Sequence, residues 1–330
     1  MKNILVTGGC GYIGSHTVVE LLNNNYRVIV FDNLENSNKE VLKRIENITN
    51  EKVYFKEGDL KKVEDISEVF NNYKIDGVIH FAAYKSVTES LKYPLKYFEN
   101  NVIGTFNLLQ VMKDFKVHKI VFSSSAAVYG NPSEVPVSEN GELNPLSPYG
   151  RNKLCMEFLL SDCANVGIDS VALRYFNAAG AHPSGVIGED PNAMGNLIPR
   201  VYKATVGEYH LEVRGDKYNT RDGSAVRDYV HVMDLAEGHV KALKWLDRNK
   251  NISEVFNLCS GTGITVLEII KGFAEVSKRK VDYEIVDSNP NEAEILTGSY
   301  NKAEKILGWK PKRDINQILE DVFRWYENNR

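Results

Sequence analysis

The sequence predicts an α/β protein built on a doubly wound, mainly parallel β-sheet. Through roughly the first half of the chain, short apolar runs bounded by Gly, Asn or Asp alternate with segments of helical periodicity. This alternation is typical of parallel strands connected by crossover helices. With 330 residues, of which 43% are hydrophobic, the chain can bury the core that such a sheet requires.

Six apolar runs are the predicted strands, and the segment 17–22 is predicted to be the helix that follows the first of them. The runs are residues 4–6, 28–31, 53–55, 78–81, 120–122 and 171–173. After Tyr175 the alternation fails, and Pro, Gly and Asn become frequent. We therefore expect a first domain over residues 1–175 and a smaller, loop-rich α/β domain over residues 176–330 that binds a second ligand. In that second part we expect a helix at 232–246, a strand at 255–258 and a closing helix from Ile315, and segments around 226–260 can return to the first domain.

The charge balance argues against several classes of partner. A net charge of -4 and a pI near 6.0 give no global field that would gather nucleic acid or an anionic membrane. The apolar run at the amino terminus is too short for a signal peptide or a membrane span, which predicts a cytoplasmic protein. Without a CxxC pair or zinc-ligand spacing, we expect no metal site and reduced, buried thiols. The four cysteines are Cys10, Cys155, Cys163 and Cys259.

Residues 8–14 form a glycine-rich loop that leads from the first strand into a helix. Gly8, Gly11 and Gly14 leave backbone amides and the positive helix end free to face a pyrophosphate. Three glycines at fixed offsets arise by chance in about one chain of this length in ten, so the position between strand and helix carries the prediction. The loop therefore predicts a dinucleotide-binding, Rossmann-type domain.

Asp32 ends the second strand, 18 residues beyond Gly14. This is close to the spacing at which an acid accepts the adenosine ribose hydroxyls, and a carboxylate there selects NAD over NADP because it repels a 2'-phosphate. The alternative is an ordinary turn aspartate after a strand. At the ends of the third and fourth strands, Asp59 and Phe81 are candidates to flank the adenine, whereas His80 is expected to be a packed strand histidine.

Tyr149 is the only one of 17 tyrosines with a lysine four residues later, at Lys153. Pro148 suits the first turn of a helix, on which this spacing puts both side chains on one face. Lowering a phenol pKa from about 10 by three units takes roughly 4 kcal/mol, which an ammonium and a cationic nicotinamide ring can supply. The alternative is an amphipathic helix with an unrelated Tyr and Lys.

With these motifs the chain resembles the extended short-chain dehydrogenase/reductase family, and within it the members that epimerise UDP-hexoses at C4. The resemblance covers most of the chain, in residues 6–16, 32–37, 78–85, 122–130, 147–153, 173–185 and 226–235. It implies reversible C4 oxidation of UDP-glucose or UDP-galactose through a transient 4-keto sugar, with NAD held throughout the cycle. Tyr149 would take the 4-hydroxyl proton, Ser125 would bridge the sugar oxygen and the phenol, and Lys153 would hold the nicotinamide ribose.

The resemblance also supplies two sets of binding residues. The cofactor set is Gly8, Gly11, Tyr12, Ile13, Gly14, Asp32, Asn33, Asn36, Ser37, Asp59, Leu60, Phe81, Ala82, Ala83, Lys85, Asn100, Ser123, Tyr149, Lys153 and Tyr175. The substrate set is Lys85, Ser125, Tyr149, Asn177, Asn196, Leu197, Arg214, Arg227, Asn289, Glu292 and Leu296. Related dehydratases and decarboxylases carry an acid where this chain has Ala126 and Ala127, which favours simple oxidation and return at C4.

Some positions depart from the family pattern. Asn289 stands where relatives have a second arginine for the diphosphate, Glu292 replaces a shorter acid, and Arg214 is a candidate substitute for the lost cation. Arg227 suits a diphosphate through bidentate bonding, although pairing with Asp228 at the surface is the alternative. Leu296 is smaller than the tyrosine of members that exclude N-acetylated sugars, which predicts activity on UDP-N-acetylglucosamine.

Other functions remain open at this point. Another member of the family could act on a UDP-N-acetylhexosamine, uronate or pentose, or could be a one-way sugar dehydrogenase that needs exchangeable cofactor. A non-catalytic NAD-binding protein is the remaining alternative, against which the intact Ser125, Tyr149 and Lys153 argue. The resemblance further implies a homodimer that pairs helices in residues 97–112 and 149–160.

Overall fold

The computed structural model describes residues 1–193, 195–288 and 293–330 of the chain. The strands are β1 (Asn3–Thr7), β2 (Arg27–Asp32), β3 (Tyr54–Glu57), β4 (Gly77–His80), β5 (Lys119–Ser125), β6 (Asp169–Tyr175), β7 (Asn177–Ala179), β8 (Leu211–Arg214), β9 (Val226–His231), β10 (Ser253–Leu258), β11 (Gly263–Thr265), β12 (Tyr283–Val286) and β13 (Ile295–Leu296). The helices are α1 (Tyr12–Asn23), α2 (Glu40–Thr49), α3 (Val63–Asn72), α4 (Val87–Lys92), α5 (Pro94–Tyr97), α6 (Gly104–Asp114), α7 (Pro148–Cys163), α8 (Leu197–Thr205), α9 (Val232–Leu246), α10 (Val266–Ser277), α11 (Asn301–Leu307) and α12 (Ile315–Asn328). A π-helical segment, Phe98–Ile103, joins α5 to α6.

Seven parallel strands form the large sheet, in the order β10-β6-β5-β4-β1-β2-β3. All six predicted strands lie in it, which confirms the predicted fold class. Two apolar layers cover its faces, one that includes Val18 of α1 and Leu243 of α9, and one that includes Met112 of α6 and Leu160 of α7. The strand order runs in opposite directions from β1, so a crevice opens at the carboxyl ends of β1 and β4, where doubly wound sheets bind ligands.

The chain returns to the large sheet after residue 230. β10 pairs with β6 in parallel, with Ser253 opposite Ser170, and α9 packs against α1. The helix at 232–246 and the strand near 255–258 therefore exist as predicted, and they belong to the layers of the large sheet. Helix α9 starts after His231, whose ring nitrogen accepts a hydrogen bond from the backbone N–H of Met233.

A smaller lobe holds most of the remaining residues. It contains a four-stranded sheet of β7, β9, β11 and β13, a separate pair of β8 and β12, and the helices α8, α10 and α12. Its apolar core includes Tyr202, Phe273 and Ile318, one from each of those helices. The closing helix begins at Ile315 as predicted, where Asp314 accepts a hydrogen bond from the backbone N–H of Gln317 at 3.0 Å.

The structure bears on the predictions about membrane-spanning segments and about the cysteines. Among the helices that the structure describes, none has the length and apolar character to cross a membrane. All four cysteines are free, but the expectation that they are buried is wrong for Cys155, which is exposed, and for Cys163, which is half-buried. Helix α7 turns Met156 and Glu157 inwards, so Cys155 falls on its outer face although apolar residues surround it in sequence.

Candidate functional site

A cleft of about 1540 Å³ opens at the carboxyl ends of the central strands and extends to the smaller lobe. Every residue of the predicted cofactor set lines this cleft, from Gly8 after β1 to Tyr175 at the end of β6. The strand order accounts for this gathering, because the loops after β1, β2, β4 and β5 all emerge at the same edge of the sheet. The predicted substrate residues Asn177, Asn196 and Leu296 line the same cleft.

Gly8 and Gly14 of the glycine loop have no room for a side chain. Gly8 adopts a φ of +69°, and a Cβ there would lie 2.6 Å from the backbone nitrogen of Ala82. A Cβ on Gly14 would lie 2.2 Å from the carbonyl oxygen of Gly8. Gly11 is the N-cap of α1 and offers no side chain to its first amides, so the helix presents its N–H groups to the cleft. These features fit a pyrophosphate held by backbone amides.

Asp32 lines the cleft at the end of β2. It is 7% exposed, and its carboxylate accepts hydrogen bonds from the backbone N–H of Cys10 at 3.0 Å and of Leu34 at 2.9 Å. The Ser37 hydroxyl donates to it at 2.9 Å. These bonds draw the glycine loop and the loop after β2 together, and the contact of Asp32 with a ribose stays a prediction.

His80 is a packed strand histidine, as expected. Its two ring nitrogens lie 2.6 Å from the Thr7 hydroxyl and 2.8 Å from the Thr105 hydroxyl. Burial lowers the pKa of His80 to about 3, and the Lys153 ammonium contributes to the shift. The neutral imidazole therefore joins β1 to α6, and it does not line the cleft.

Ser125, Tyr149 and Lys153 come together from β5 and α7. Ser147 caps α7 by accepting a hydrogen bond from the Gly150 N–H at 3.1 Å, which fixes the first turn that carries Tyr149. Burial raises the pKa of the Tyr149 phenol, while a hydrogen bond with Ser125 opposes the rise. The Lys153 ammonium lies 5.8 Å from the centre of the Tyr149 ring.

Lys153 is itself tuned by its surroundings. Its ammonium donates to the carbonyl oxygen of Ser123 at 2.7 Å. Burial lowers the pKa of Lys153 to about 7, and the charge of Glu157 opposes this. Glu157 in turn is held by Arg174, whose guanidinium nitrogens donate to it at 3.0 and 2.6 Å. Sequence reasoning missed Glu157, although its position one helical turn after Lys153 was a usable signal.

The structure brings only some of the remaining predicted substrate residues to the cleft. Leu197 begins α8 and Arg214 is exposed at the end of β8, and neither lies among the residues that line the cleft. Asn289 and Glu292 lie outside the described residues. The roles of these four residues stay predictions. Glu189, which was not predicted, lines the cleft and accepts hydrogen bonds from Lys85 and Asn196.

Arg227 lines the cleft from β9. One of its guanidinium nitrogens donates to its neighbour's carbonyl, that of Val226, at 2.9 Å. Asp228 points to the opposite side of the strand, where it is fully buried. Its carboxylate accepts hydrogen bonds from the backbone N–H groups of Ser260 at 2.6 Å and Gly261 at 2.9 Å. Asp228 thus fixes the loop after β10.

Fold and site together define a dinucleotide-binding enzyme of the Rossmann type with a serine, tyrosine and lysine centre. Comparison with known proteins agrees with this class. The chain matches the model of the GDP-mannose 4,6 dehydratase family over residues 5–322. It is 48% identical over 330 residues to the UDP-glucose 4-epimerase of Bacillus subtilis (strain 168), covering 99% of this chain and 97% of that protein.

Two solved structures extend the comparison. The UDP-glucose 4-epimerase from Stenotrophomonas maltophila, with bound NAD and formylated UDP-arabinopyranose, has a TM-score of 0.96 at 40% identity and covers 100% of this chain and 99% of its own. The UDP-glucose 4-epimerase from Bifidobacterium longum, in complex with NAD+ and UDP, has a TM-score of 0.95 at 42% identity, with 99% of each chain covered. The chain therefore belongs to the UDP-glucose 4-epimerases, a branch of the extended short-chain dehydrogenase/reductase family.

Proposed function

We propose that this protein interconverts UDP-glucose and UDP-galactose by NAD-dependent epimerisation at C4 of the hexose. The observation that carries the proposal is that Tyr149 and Lys153 line the same cleft as the glycine loop, with Ser125 hydrogen-bonded to the Tyr149 phenol. The relatives from S. maltophila and B. longum, which bind NAD together with a UDP-sugar or UDP, support the same ligands for this chain. The reaction places the enzyme in galactose metabolism.

Each residue of the candidate site has a separate role in the proposed reaction. Tyr149 accepts the proton of the 4-hydroxyl, and its bond with Ser125 keeps the phenolic oxygen in place. Lys153 can carry a positive charge near that oxygen or release its proton there, since its pKa of about 7 lies close to neutral pH. Bound NAD would supply the acceptor and then the donor of the C4 hydride, and its oxidised ring would add positive charge beside the phenol. Ala126 and Ala127 offer no acid or base for a further step.

The cofactor should stay with the protein. Backbone amides at the start of α1, the Asp32 carboxylate and Lys153 are spread along the cleft, so each can bind a different part of the dinucleotide. Retention agrees with the reaction, because a cycle that reduces and reoxidises NAD has no need to exchange it.

The test is to purify the protein, denature it and quantify the NAD released, and to follow UDP-galactose by NMR with the native protein and no added cofactor. We expect stoichiometric NAD and conversion to UDP-glucose. Accumulation of free NADH on addition of NAD and UDP-glucose, without epimerisation, would identify a one-way dehydrogenase. NAD release without turnover of any UDP-sugar would identify a binding protein.

A second substrate class is favoured by Leu296. This residue of β13 is half-buried and lines the cleft, which leaves the space that a larger side chain would fill. We propose that UDP-N-acetylglucosamine is accepted as well. For pentose derivatives, the S. maltophila relative with bound formylated UDP-arabinopyranose is an observation in favour, whereas uronate derivatives have none.

We also propose that the protein is a homodimer. Helices α6 and α7 and the π-helical segment expose large apolar side chains, including Phe98, Phe106 and Phe158. Exposed apolar surface of this kind is typical of a contact between subunits.

The four free cysteines suit a reducing compartment such as the cytoplasm, where we place the enzyme. We assign UDP-sugar binding mainly to residues 176–330, except for α9 and β10.

A further inference from the structure

Glu189 is a buried carboxylate that none of the sequence motifs indicated. It lies in the loop between β7 and α8, and its side chain is 8% exposed where it lines the cleft. Trp325 of α12 holds the loop from behind, because its indole N–H donates to the carbonyl oxygen of Glu189 at 2.7 Å. A Cβ on Gly188 would lie 2.5 Å from the Trp325 ring. Close packing against Trp325 therefore fixes the backbone that carries the carboxylate.

The same carboxylate oxygen binds two side chains. The Lys85 ammonium donates to Oε1 of Glu189 at 3.2 Å, and the Asn196 amide donates to it at 2.5 Å. Lys85 comes from the loop after β4 of the large sheet, whereas Asn196 is the N-cap of α8 in the smaller lobe. Both partners belong to the predicted substrate set. Glu189 thus joins two substrate residues across the cleft.

The charges at this point restrict what the cleft can hold. The Lys85 side chain is 61% exposed, so by itself its ammonium would present a positive charge to a ligand. Glu189 neutralises that charge from a buried position, where electrostatic effects are larger than in water. A hydroxyl group can bind beside such a pair, whereas a carboxylate would lie against Glu189 and meet like-charge repulsion.

We propose that Glu189 is a positioning and specificity-determining residue. It orients Lys85 and Asn196 towards the sugar, and its charge restricts the site to uncharged sugars and keeps UDP-uronates out. The inference rests on the proposed function, since it takes Lys85 and Asn196 as sugar-binding residues. Glu189 acts through these two side chains and takes no part in the proton transfer at C4.

The test uses two variants that change the pair from opposite ends, Glu189→Gln and Lys85→Met, with NAD bound as purified. For each we would measure kcat and KM with UDP-galactose, and the inhibition constant of UDP-glucuronate as a competitor. In Glu189→Gln we expect KM to rise roughly tenfold with a smaller change in kcat, as the loss of one charge-assisted contact predicts. UDP-glucuronate should bind more tightly relative to UDP-galactose, because the Lys85 charge is no longer cancelled.

Lys85→Met should move this relative affinity the other way, because it leaves the Glu189 carboxylate without its cation. Its exposed side chain also makes the variant tolerant, so it decides the question if Glu189→Gln fails to fold. Glu208→Gln is the matched control, since it makes the same change at an exposed residue of the smaller lobe that is not among the residues lining the cleft. It should leave the ratio of the two affinities unchanged, because an exposed charge is screened.

The two possible failures can be told apart. Wild-type protein that does not convert UDP-galactose would overturn the proposed function and this inference with it. Wild-type turnover with a ratio that stays unchanged in both variants, or that moves in the same direction in both, would overturn the inference alone. A purely structural role for Glu189 would lower stability and affect both ligands equally, which the opposite shifts exclude.

Discussion

At the scale of single residues, Tyr149 is the group on which the chemistry depends. Tyr149→Phe removes the phenolic oxygen and keeps the ring that packs in the cleft. We expect kcat for UDP-galactose to fall by about 10²–10⁴, the usual contribution of a general base, while NAD remains bound. The measurement is the NMR time course together with the NAD content of the purified variant. A wild-type rate in this variant would show that another group accepts the proton.

Leu296 separates substrates by size. Leu296→Tyr should fill the space beside the sugar and lower turnover of UDP-N-acetylglucosamine at least about tenfold, because overpacking of a site costs roughly 1–3 kcal/mol. UDP-galactose, which lacks the N-acetyl group, should be converted at a rate close to that of the wild type. Leu296→Met has nearly the same volume and serves as the control. Equal losses for both sugars in Leu296→Tyr would contradict the assigned role.

Residues whose roles depend on local spacing could be predicted, and those whose partners are distant in sequence could not. Tyr149 and Lys153 lie four residues apart, and Asp32 follows a recognisable strand. Glu189 forms its contacts with Lys85, 104 residues away, and Arg174 pairs with Glu157 from another element. No pattern within either segment indicates such a pair, because only the folded structure brings the two residues together.

At the scale of elements, the glycine loop and α1 form one unit. Gly14→Ala should abolish NAD retention, because its Cβ would lie 2.2 Å from the backbone oxygen of Gly8 and no flexible side chain can move to relieve the contact. Gly11→Ala is the graded comparison, since its nearest contact is 3.2 Å. The NAD content of the two purified variants, with their thermal unfolding in excess NAD, measures the difference. Equal NAD content in both would show that close packing at Gly14 is not what shapes the loop.

Most strands of the large sheet followed from the sequence because they bury both faces. Val28 and Ile29, on opposite faces of β2, are fully buried, and such strands read as continuous apolar runs. Apart from β9, the strands of the smaller lobe are short and most are partly exposed, as in β8, where buried Leu211 and Val213 alternate with exposed residues. Strands of two to four residues give too little periodicity to be recognised, so the sequence predicted this lobe only as loop-rich with a closing helix from Ile315.

At the scale of the whole molecule, the chain crosses between the two parts more than once. The return of α9 and β10 to the large sheet places β9 directly before α9, so the strand that carries Arg227 is continuous with the body that holds the cofactor site. Trp325 of the closing helix reaches the loop that carries Glu189. The cleft is thus shaped by segments from the beginning, the middle and the end of the chain.

A row of exposed apolar side chains supports the proposal of a homodimer. Leu95, Phe98, Ile103 and Phe106 follow one another at helical spacing across α5, the π-helical segment and α6, with exposures of 83%, 47%, 42% and 44%. Phe158, which is 59% exposed, extends this surface onto α7, which packs beside the π-helical segment. A monomer would leave this apolar surface in water, whereas a twofold contact would cover it with its own copy.

Phe106→Asp and Phe158→Asp should each convert a dimer into monomers, because a buried unpaired carboxylate in an apolar contact is strongly unfavourable. Light scattering after size-exclusion chromatography gives the mass directly. Ile306→Asp is the control, since Ile306 is 41% exposed on α11, in the layer on the other face of the large sheet. A dimer mass that survives both Phe variants, or that is lost only in Ile306→Asp, would place the contact elsewhere. The monomeric variants should still convert UDP-galactose, because Ser125, Tyr149, Lys153 and the glycine loop all come from one chain.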